Sequence, residues 1–327
     1  MVLLNRWFLF SFLFYCNLWL HAQDYATVDK VVATYPSSFQ SIEKFADRIE
    51  KDFTTDATKV RAAYYWIAHH IQYNYKIVGS SKTGYPTITI NTYESEDEFH
   101  YKYKKVYATY ALQYKAAVCE GYAQLLFYVC EELGIKATVI KGNAITSGHR
   151  YGLIPRNTNH AWNAVFFNDK WNLIDATWST GNERDKPNHV DFHDTYFCIS
   201  PQKMILNHFP KDPKWQLLKT PMTKKAFFTQ PIIYSEYLAL DIALSKNTKG
   251  LIKAKVNGFI RLRFTKIDTT KKYYYSFSKD EYSKQLTFTK AGNEYITNIP
   301  FKSTKRDFLS IFSESSGMLR FRILPTQ

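Results

Sequence analysis

Apolar positions in the first half of the chain recur at spacings of three and four. Ile42, Phe45, Ile49 and Phe53 are separated by charged residues, which predicts an amphipathic helix opening at Ser37 or Ser38. Ser41, Glu43 and Asp47 fall toward its start, where negative charge suits the helix dipole. Val60, Tyr64, Ile67 and Ile71 mark a second helix from about Thr58 to Tyr73. His69 and His70 near its end read as a partly exposed helix terminus favoured by the dipole, rather than as a metal or catalytic pair. Residues 24–36 read as a linker or short lead-in. Residues 74–100 read as irregular, with GSSKTGYP a loop signal and ESEDEF a solvated acidic turn. A helical approach from Val106 to Tyr114 leads into AVCEGYAQLLFYVCEELGI at 117–135. There Tyr122, Leu125, Leu126, Val129, Cys130 and Leu133 form the stripe of a helix over 118–133, and Gly134 stops it.

Beyond Gly134 the period falls to two. IKATVIKG reads as a strand, and HAWNAVFF and KWNLIDATW as a hairpin around Asn168-Asp169. A two-residue turn makes the numbers of opposed residues sum to 337, so Trp162 is expected to face Asp175 and His160 to face Thr177. His160 and Asp175 then share a face as diagonal neighbours, near enough for imidazole and carboxylate to meet. After about Thr220, β-type runs spaced near ten residues alternate with Lys-, Asn- and Gly-bearing turns: AFFTQPIIYSEYLAL, GLIKAKVN, FIRLRFTKI, KYYYSFS, KQLTFTKA and MLRFRIL. That rhythm predicts a β-sandwich. The fold class expected is α+β, with three segments: 1–22, 24–220 and a β-rich unit over 221–327.

Composition narrows the picture. With 327 residues, 45% of them hydrophobic and 22% charged, the chain is globular and long enough for two domains. Arg6 followed by the 14-residue apolar run WFLFSFLFYCNLWL and by Ala22 has the pattern of a signal peptide; the run is short for a membrane span. The expectation is export to a periplasmic or extracellular setting, with no transmembrane span once the signal is removed. The formal charge of +14 suits solubility and loose association with acidic surroundings. Lys and Arg are dispersed, and no nucleic-acid module is recognisable, so specific nucleic-acid binding is not expected.

Three cysteines remain beyond the apolar run: Cys119, Cys130 and Cys198. An odd count in an exported chain points to a free thiol. Cys119 and Cys130 lie three helical turns apart, too far to bridge. Cys130 and Cys198 are either a disulfide or two buried thiols. There is no CxxC, HxxxH or HExxH, and neither a metal nor a cofactor is expected. Cys119 opens its helix, where the dipole favours a thiolate and the first N–H groups favour a developing oxyanion. A cysteine in that place is also simply a small residue suited to burial. The His160–Asp175 pairing favours the chemical reading, because a base oriented by a carboxylate is what a Cys–His–Asp mechanism needs.

VCEGYAQLLFYVCEELGI, HAWNAV and WNLIDATW, in that order, resemble the transglutaminase-like thiol-enzyme superfamily. The stretch YFCISPQKMILNHFPKDPKWQLL is similar to the branch that includes the kyphoscoliosis peptidase and a yeast cytokinesis protein. The resemblance covers roughly residues 37–220. It implies a papain/transglutaminase-like core, a nucleophile helix packed on an antiparallel sheet. It also implies Cys119 as nucleophile, His160 as general base and acid, and Asp175 as the orienting carboxylate. Gln113, six residues before the cysteine, is a candidate for holding an oxyanion. No calcium loop is implied. Trp162, Trp171 and Trp178 are expected to wall the pair, while His149, His189, His193 and His208 have no part in the mechanism, His208 being structural. The expected activity is acyl transfer on amide bonds of a peptide or protein, cell-envelope peptide included, with hydrolysis favoured over cross-linking. The rival expectation is a scaffold or binding module at the cell envelope with the thiol site unused.

Overall fold

The structure is a computed structural model and describes residues 25–76, 95–146, 151–181, 191–246 and 248–327. The signal-peptide segment, the GSSKTGYP loop, His149 and His189 lie outside the described residues.

The expected linker holds a helix instead. α1 (Ala26–Val32) buries Val28 and Val32 against α3 (Asp56–His70); a two-residue apolar stripe was too short to show a period. Between them α2 (Ile42–Asp52) begins later than Ser37, because Ser41 is the cap: its side chain accepts from the Lys44 N–H at 3.3 Å. Thr55 caps α3 in the same way. That helix stops at His70, short of Tyr73, because β1 (Gln72–Tyr73) leaves to pair in parallel with β2 (Ala116–Ala117). α4 (Glu96–Tyr114) starts well before Val106. Ser95 accepts from the Glu98 N–H at 3.1 Å, so the acidic run is the first turn of a helix rather than a solvated turn. α4 ends on Lys115 in the left-handed region (φ 52°), which turns the chain through β2 into α5 (Cys119–Glu132). Gly134 (φ 70°) follows as the stop expected.

α5 lies on an antiparallel sheet made of β3 (Ala137–Ala144), β4 (His160–Phe167), β5 (Lys170–Ile174) and β6 (His208–Pro210), in the order β5-β4-β3-β6. The β4–β5 hairpin has the expected register, from Asn163 opposite Ile174 to Phe167 opposite Lys170. Asn168 (φ 53°) and Asp169 (φ 58°) both adopt positive φ, as a type I′ turn requires. The pairing ends at Ile174, however. Asp175 caps a short helix, α6 (Ala176–Ser179), so Thr177 is helical and does not face His160.

Gly142 sits where β3 is flanked on both sides, opposite His160 and Pro210. A Cβ there would meet the Phe209 carbonyl oxygen at 2.3 Å and Trp162 Cη2 at 2.4 Å. Gly142→Ala is expected to lower the unfolding free energy by about 1–3 kcal/mol, the usual cost of overpacking, and to disturb Trp162 fluorescence; chemical denaturation reads both.

The C-terminal region is sandwich-like. Strand 258–266 buries Ile260, Leu262 and Phe264 in alternation, within a sheet ordered 289–291, 294–301, 258–266, 243–244. A second sheet runs 284–285, 273–277, 307–313, 316–326, 232–233, with 251–255 parallel beside 316–326. Leu309, Ile311, Phe321 and Ile323 meet Ile260, Leu262 and Phe264 in one core, which continues through Tyr196 and Trp162 of the preceding region. AFFTQPIIYSEYLAL, expected as β, is instead two one-turn helices (Lys224–Phe228 and Ser235–Ala239) around the two-residue strand Ile232–Ile233. Thr223 caps the first helix, which buries Phe227 and Phe228 against Ile145, Ile205 and Phe209. KQLTFTKA is likewise two short strands, one in each sheet. Among the described residues no helix is long and apolar enough to cross a membrane.

Candidate active site

Cys119 is the first residue of α5 and is partly exposed. Val118 before it contributes no capping side chain, so the leading N–H groups of the helix are not satisfied in the usual way. The helix is held to the sheet from below. Asn163 of β4, fully buried, donates to the Ala123 carbonyl at 2.9 Å, which fixes the first turns of α5 over the strand that opens with His160. Tyr122 donates to the Ile71 carbonyl, tying α5 to the end of α3. Glu120 turns away from the thiol, toward Gln124 (2.9 Å) and Lys141 (3.4 Å).

The start of β4 is set by Asn159. Its side chain accepts from the Ala144 N–H at 2.8 Å and donates to the Ala144 carbonyl at 3.1 Å, replacing a strand partner for β3. His160 follows, buried, with Nε2 2.6 Å from Asp175 Oδ2. Asp175 is buried as well, and its Oδ1 accepts from the Trp178 N–H at 3.1 Å, the cap of α6. Cys119 lies near enough to the His160 ring to bear on its charge, and the ring nitrogen that Asp175 does not engage is Nδ1. Of the three residues singled out by the sequence, imidazole and carboxylate are in direct contact and the thiol is their neighbour.

The sequence reading missed a fourth. His208, assigned there a structural place only, is fully buried, and its Nε2 lies 3.0 Å from the same Asp175 Oδ2. The signal was weak, a histidine beside proline in HFP, because β6 is three residues long and its pairing partner β3 is distant in sequence. His160, Asp175 and His208 form a close group of possible metal ligands. Their spacing argues against a shared ion. Nitrogen or oxygen ligands about 2.0–2.1 Å from a tetrahedral zinc sit roughly 3.3 Å apart, whereas His160 and Asp175 are in direct hydrogen-bond contact at 2.6 Å.

Electrostatics divides the two imidazoles. Burial alone would push both toward the neutral form. At His160 the Asp175 charge and hydrogen bond, helped by Cys119, outweigh it and push the pKa up to about 10. At His208 burial wins, and the pKa falls to about 4. Burial would raise the Asp175 carboxyl, but His160 and then His208 hold it well below its ordinary 3.8. The sign of the linkage follows. The His160 contribution to stability is full below its ordinary 6.5 and fades as pH rises through about 10. The Asp175 contribution is full above 3.8 and is lost as pH falls below it. The difference in melting temperature between wild type and Asp175→Asn should therefore be largest between pH 3.8 and 6.5 and shrink toward pH 10, as measured by melts across that range.

Trp162 and Trp178 wall the pair as expected, with ring centroids 5.9 and 5.6 Å from His160. Trp171 does not; it packs on Trp215 (5.0 Å) and Phe166 (5.5 Å), at the turn end of the hairpin. Gln113 is exposed near the end of α4 and does not line the cavity beside His160, so its expected oxyanion role has no contact to rest on. His69 and His70 lie partly exposed in the last turn of α3, as expected. Each ring is bonded through Nδ1 to the carbonyl four residues earlier, and burial lowers both pKa values against the dipole. Cys130 and Cys198 are free thiols, both pushed up to about 12 by burial. A cavity of about 440 Å³ opens beside His160 and Trp178, with Tyr73, Ile145, Tyr196 and Tyr234 among its walls.

A cysteine at the head of a helix, laid on an antiparallel sheet that carries histidine and aspartate, defines a transglutaminase-like α+β domain. Residues 43–176 match the family model of the transglutaminase-like superfamily. The chain is 26% identical over 242 residues to the human kyphoscoliosis peptidase, covering 73% of this chain and 33% of that protein. It is 28% identical to the mouse kyphoscoliosis peptidase over 62% of this chain and 28% of that one. It is also 26% identical to cytokinesis protein 3 of Schizosaccharomyces pombe, over 40% of this chain and 15% of that protein. The chain thus spans a third or less of the length of these relatives. A solved structure described as a TGase is 18% identical over 56% of this chain and 40% of that one, with a TM-score of 0.29.

Proposed function

We propose that Cys119, His160 and Asp175 form a thiol acyl-transfer site acting on amide bonds of peptides or proteins, with water as the usual acceptor. The observation that carries this reading is the orientation of His160: Asp175 takes Nε2 and leaves the other ring nitrogen to the thiol. The sulfur attacks the amide carbon as the thiolate, its proton held on the imidazole that Asp175 keeps charged. The carbonyl oxygen gains the negative charge, and the N–H groups at the head of α5 stabilise it. The imidazolium then gives its proton to the departing nitrogen, the C–N bond breaks, and a thioester remains on Cys119. Water attacks the thioester while His160 takes its proton, and the acid leaves as the thiol is restored. An amine in place of water would give a cross-link.

Hydrolysis is favoured by the likeness to proteins named as peptidases. Secretion is supported by the apolar run at 7–20. The cavity supports a preference for an apolar or aromatic side chain beside the attacked bond, since its walls include Tyr73, Ile145, Trp178, Tyr196, Ile233 and Tyr234. Ile233 and Tyr234 come from the segment that joins the C-terminal sheets, so that region also shapes the pocket.

The test is a peptide library incubated with wild type and Cys119→Ala and read by mass spectrometry. Cleavage next to Phe, Tyr, Leu or Ile in the wild type alone is the expected result. Cross-linked products would move the acceptor from water to amine. Identical spectra from both proteins would remove the reading.

A further inference from the structure

We propose that His208 is a positioning residue of this site: by donating Nε2–H to the Asp175 oxygen that His160 also uses, it loosens the carboxylate's hold on the His160 proton and readies that proton for the leaving nitrogen. The inference rests on the thiol-site reading above.

Asp175 does not need His208 to fix its rotamer. The Trp178 N–H already holds Oδ1, and the backbone at Asp175 is anchored by its N–H to the Tyr196 carbonyl at 3.0 Å. The bond from His208 goes instead to Oδ2, the oxygen that faces His160. Two donors on one oxygen compete for its electron density, and each bond is weaker for the other. A lone buried carboxylate would bind the imidazolium so firmly that the acid step would suffer, because a proton donor works best with a pKa near the operating pH. His208 is placed to moderate this. Its ring is shut from solvent and packed between Trp178 (4.5 Å), Trp162 (5.1 Å) and Tyr196 (5.6 Å).

The proton inventory fixes its state. His208 Nδ1 lies 2.6 Å from Asn207 Oδ1, so as drawn the ring has an acceptor at each nitrogen. A second imidazolium beside His160 would leave excess positive charge buried, and burial already disfavours the charged form of His208. The ring is therefore neutral, and the proposal puts its one proton on Nε2. That requires a half-turn of the Asn207 amide, which supplies an N–H to Nδ1 and presents its oxygen to the Tyr196 hydroxyl, which donates to it, while giving up the 3.4 Å bond from Asn207 to the Ile233 carbonyl. The other titratable groups that face the cluster are Tyr64 from α3, Tyr73 from β1, Cys119 from α5, and His193 from the 191–199 segment. Of these, Cys119 is the one that bears on the charge of His160.

The experiment uses the full chain as wild type, His208→Gln, which keeps an N–H donor, and His208→Leu, which fills the space without one. Two readouts are taken: the pH dependence of Cys119 alkylation by iodoacetamide, and the 15N NMR titration of His160. In His208→Leu the alkaline limb and the His160 titration should both move up by about one pH unit, a tenfold change in proton affinity. In His208→Gln both should stay near the wild-type position. No movement in the Leu variant, or equal movement in both variants, overturns the proposal. The wild-type 15N shifts of His208 decide even if neither variant folds: protonation at Nε2 supports the proposal, and protonation at Nδ1 alone overturns it. Slow labelling of Cys119 in the wild type would sink the thiol-site reading, while the NMR titration would still decide whether His208 acts on His160.

Discussion

Alkylation of Cys119 is expected to slow by about 100-fold or more when His160 is replaced by alanine, the lower end of what a positioned general base contributes. His160 is the titratable ring beside the thiol, and Asp175 keeps that ring charged against its own burial. Asp175→Asn should give a smaller loss, because the ring loses its counter-charge but keeps its place on β4. The protein carries its own controls. Cys130 is fully buried in the helix core, Cys198 is partly exposed as Cys119 is, and burial pushes both control thiols up to about 12. The measurement is quantitative mass spectrometry of all three cysteine peptides over time. Equal rates at Cys119 in wild type and His160→Ala would mean that the imidazole does not assist the sulfur.

The largest effect on stability is expected at Arg61, remote from the chemistry. Its side chain, 1% exposed, leaves α3 to meet Asp29 of α1 with two hydrogen bonds and Asp194 at 2.7 Å. Rings of Phe197 (4.9 Å) and Tyr25 (5.3 Å) lie against the guanidinium. Burial works against the charge, and the two carboxylates hold it in place, keeping the pKa above its ordinary value. Arg61→Ala leaves Asp29, mostly shielded, facing apolar surroundings without a partner. Removing one member of a buried ion pair costs about 3–5 kcal/mol. The bond to Asp194, which is 62% exposed, adds little to this. The loss should also reach the site. Asp194 begins the short segment whose Tyr196 carbonyl accepts from the Asp175 N–H and whose ring lines the cavity. Urea denaturation of Arg61→Ala and Arg61→Met would read the cost. A change below about 1 kcal/mol would contradict this account of the clamp.

Legibility along the chain followed the range of the physics. α5 and the β4–β5 hairpin were readable because their signals are local: a stripe with a glycine stop, and a two-residue turn between alternating runs. The register placed His160 and Asp175 together even though the strand pairing ends one residue short of Asp175, since the cap of α6 holds the carboxylate on the same side. α1 and the front of α4 were hidden. One has two apolar anchors, and the other opens on an exposed, charge-rich turn that only the Ser95 cap explains. The one-turn helices at 224–228 and 235–239 looked like strands because four or five residues cannot display a period. His208 was beyond reach for a different reason. Its role depends on a three-residue edge strand pairing with β3, and no local pattern encodes a contact between positions 33 residues apart.

The central claim is that an acyl group passes through Cys119. The most direct measurement is brief incubation with an activated ester of an aromatic acyl group, followed by acid quench, intact mass and peptide mapping. The account predicts one acyl group, on Cys119, that decays on standing in wild type and never forms in Cys119→Ala. Acylation absent from Cys119, or spread over Cys119 and surface lysines at comparable rates, would contradict it.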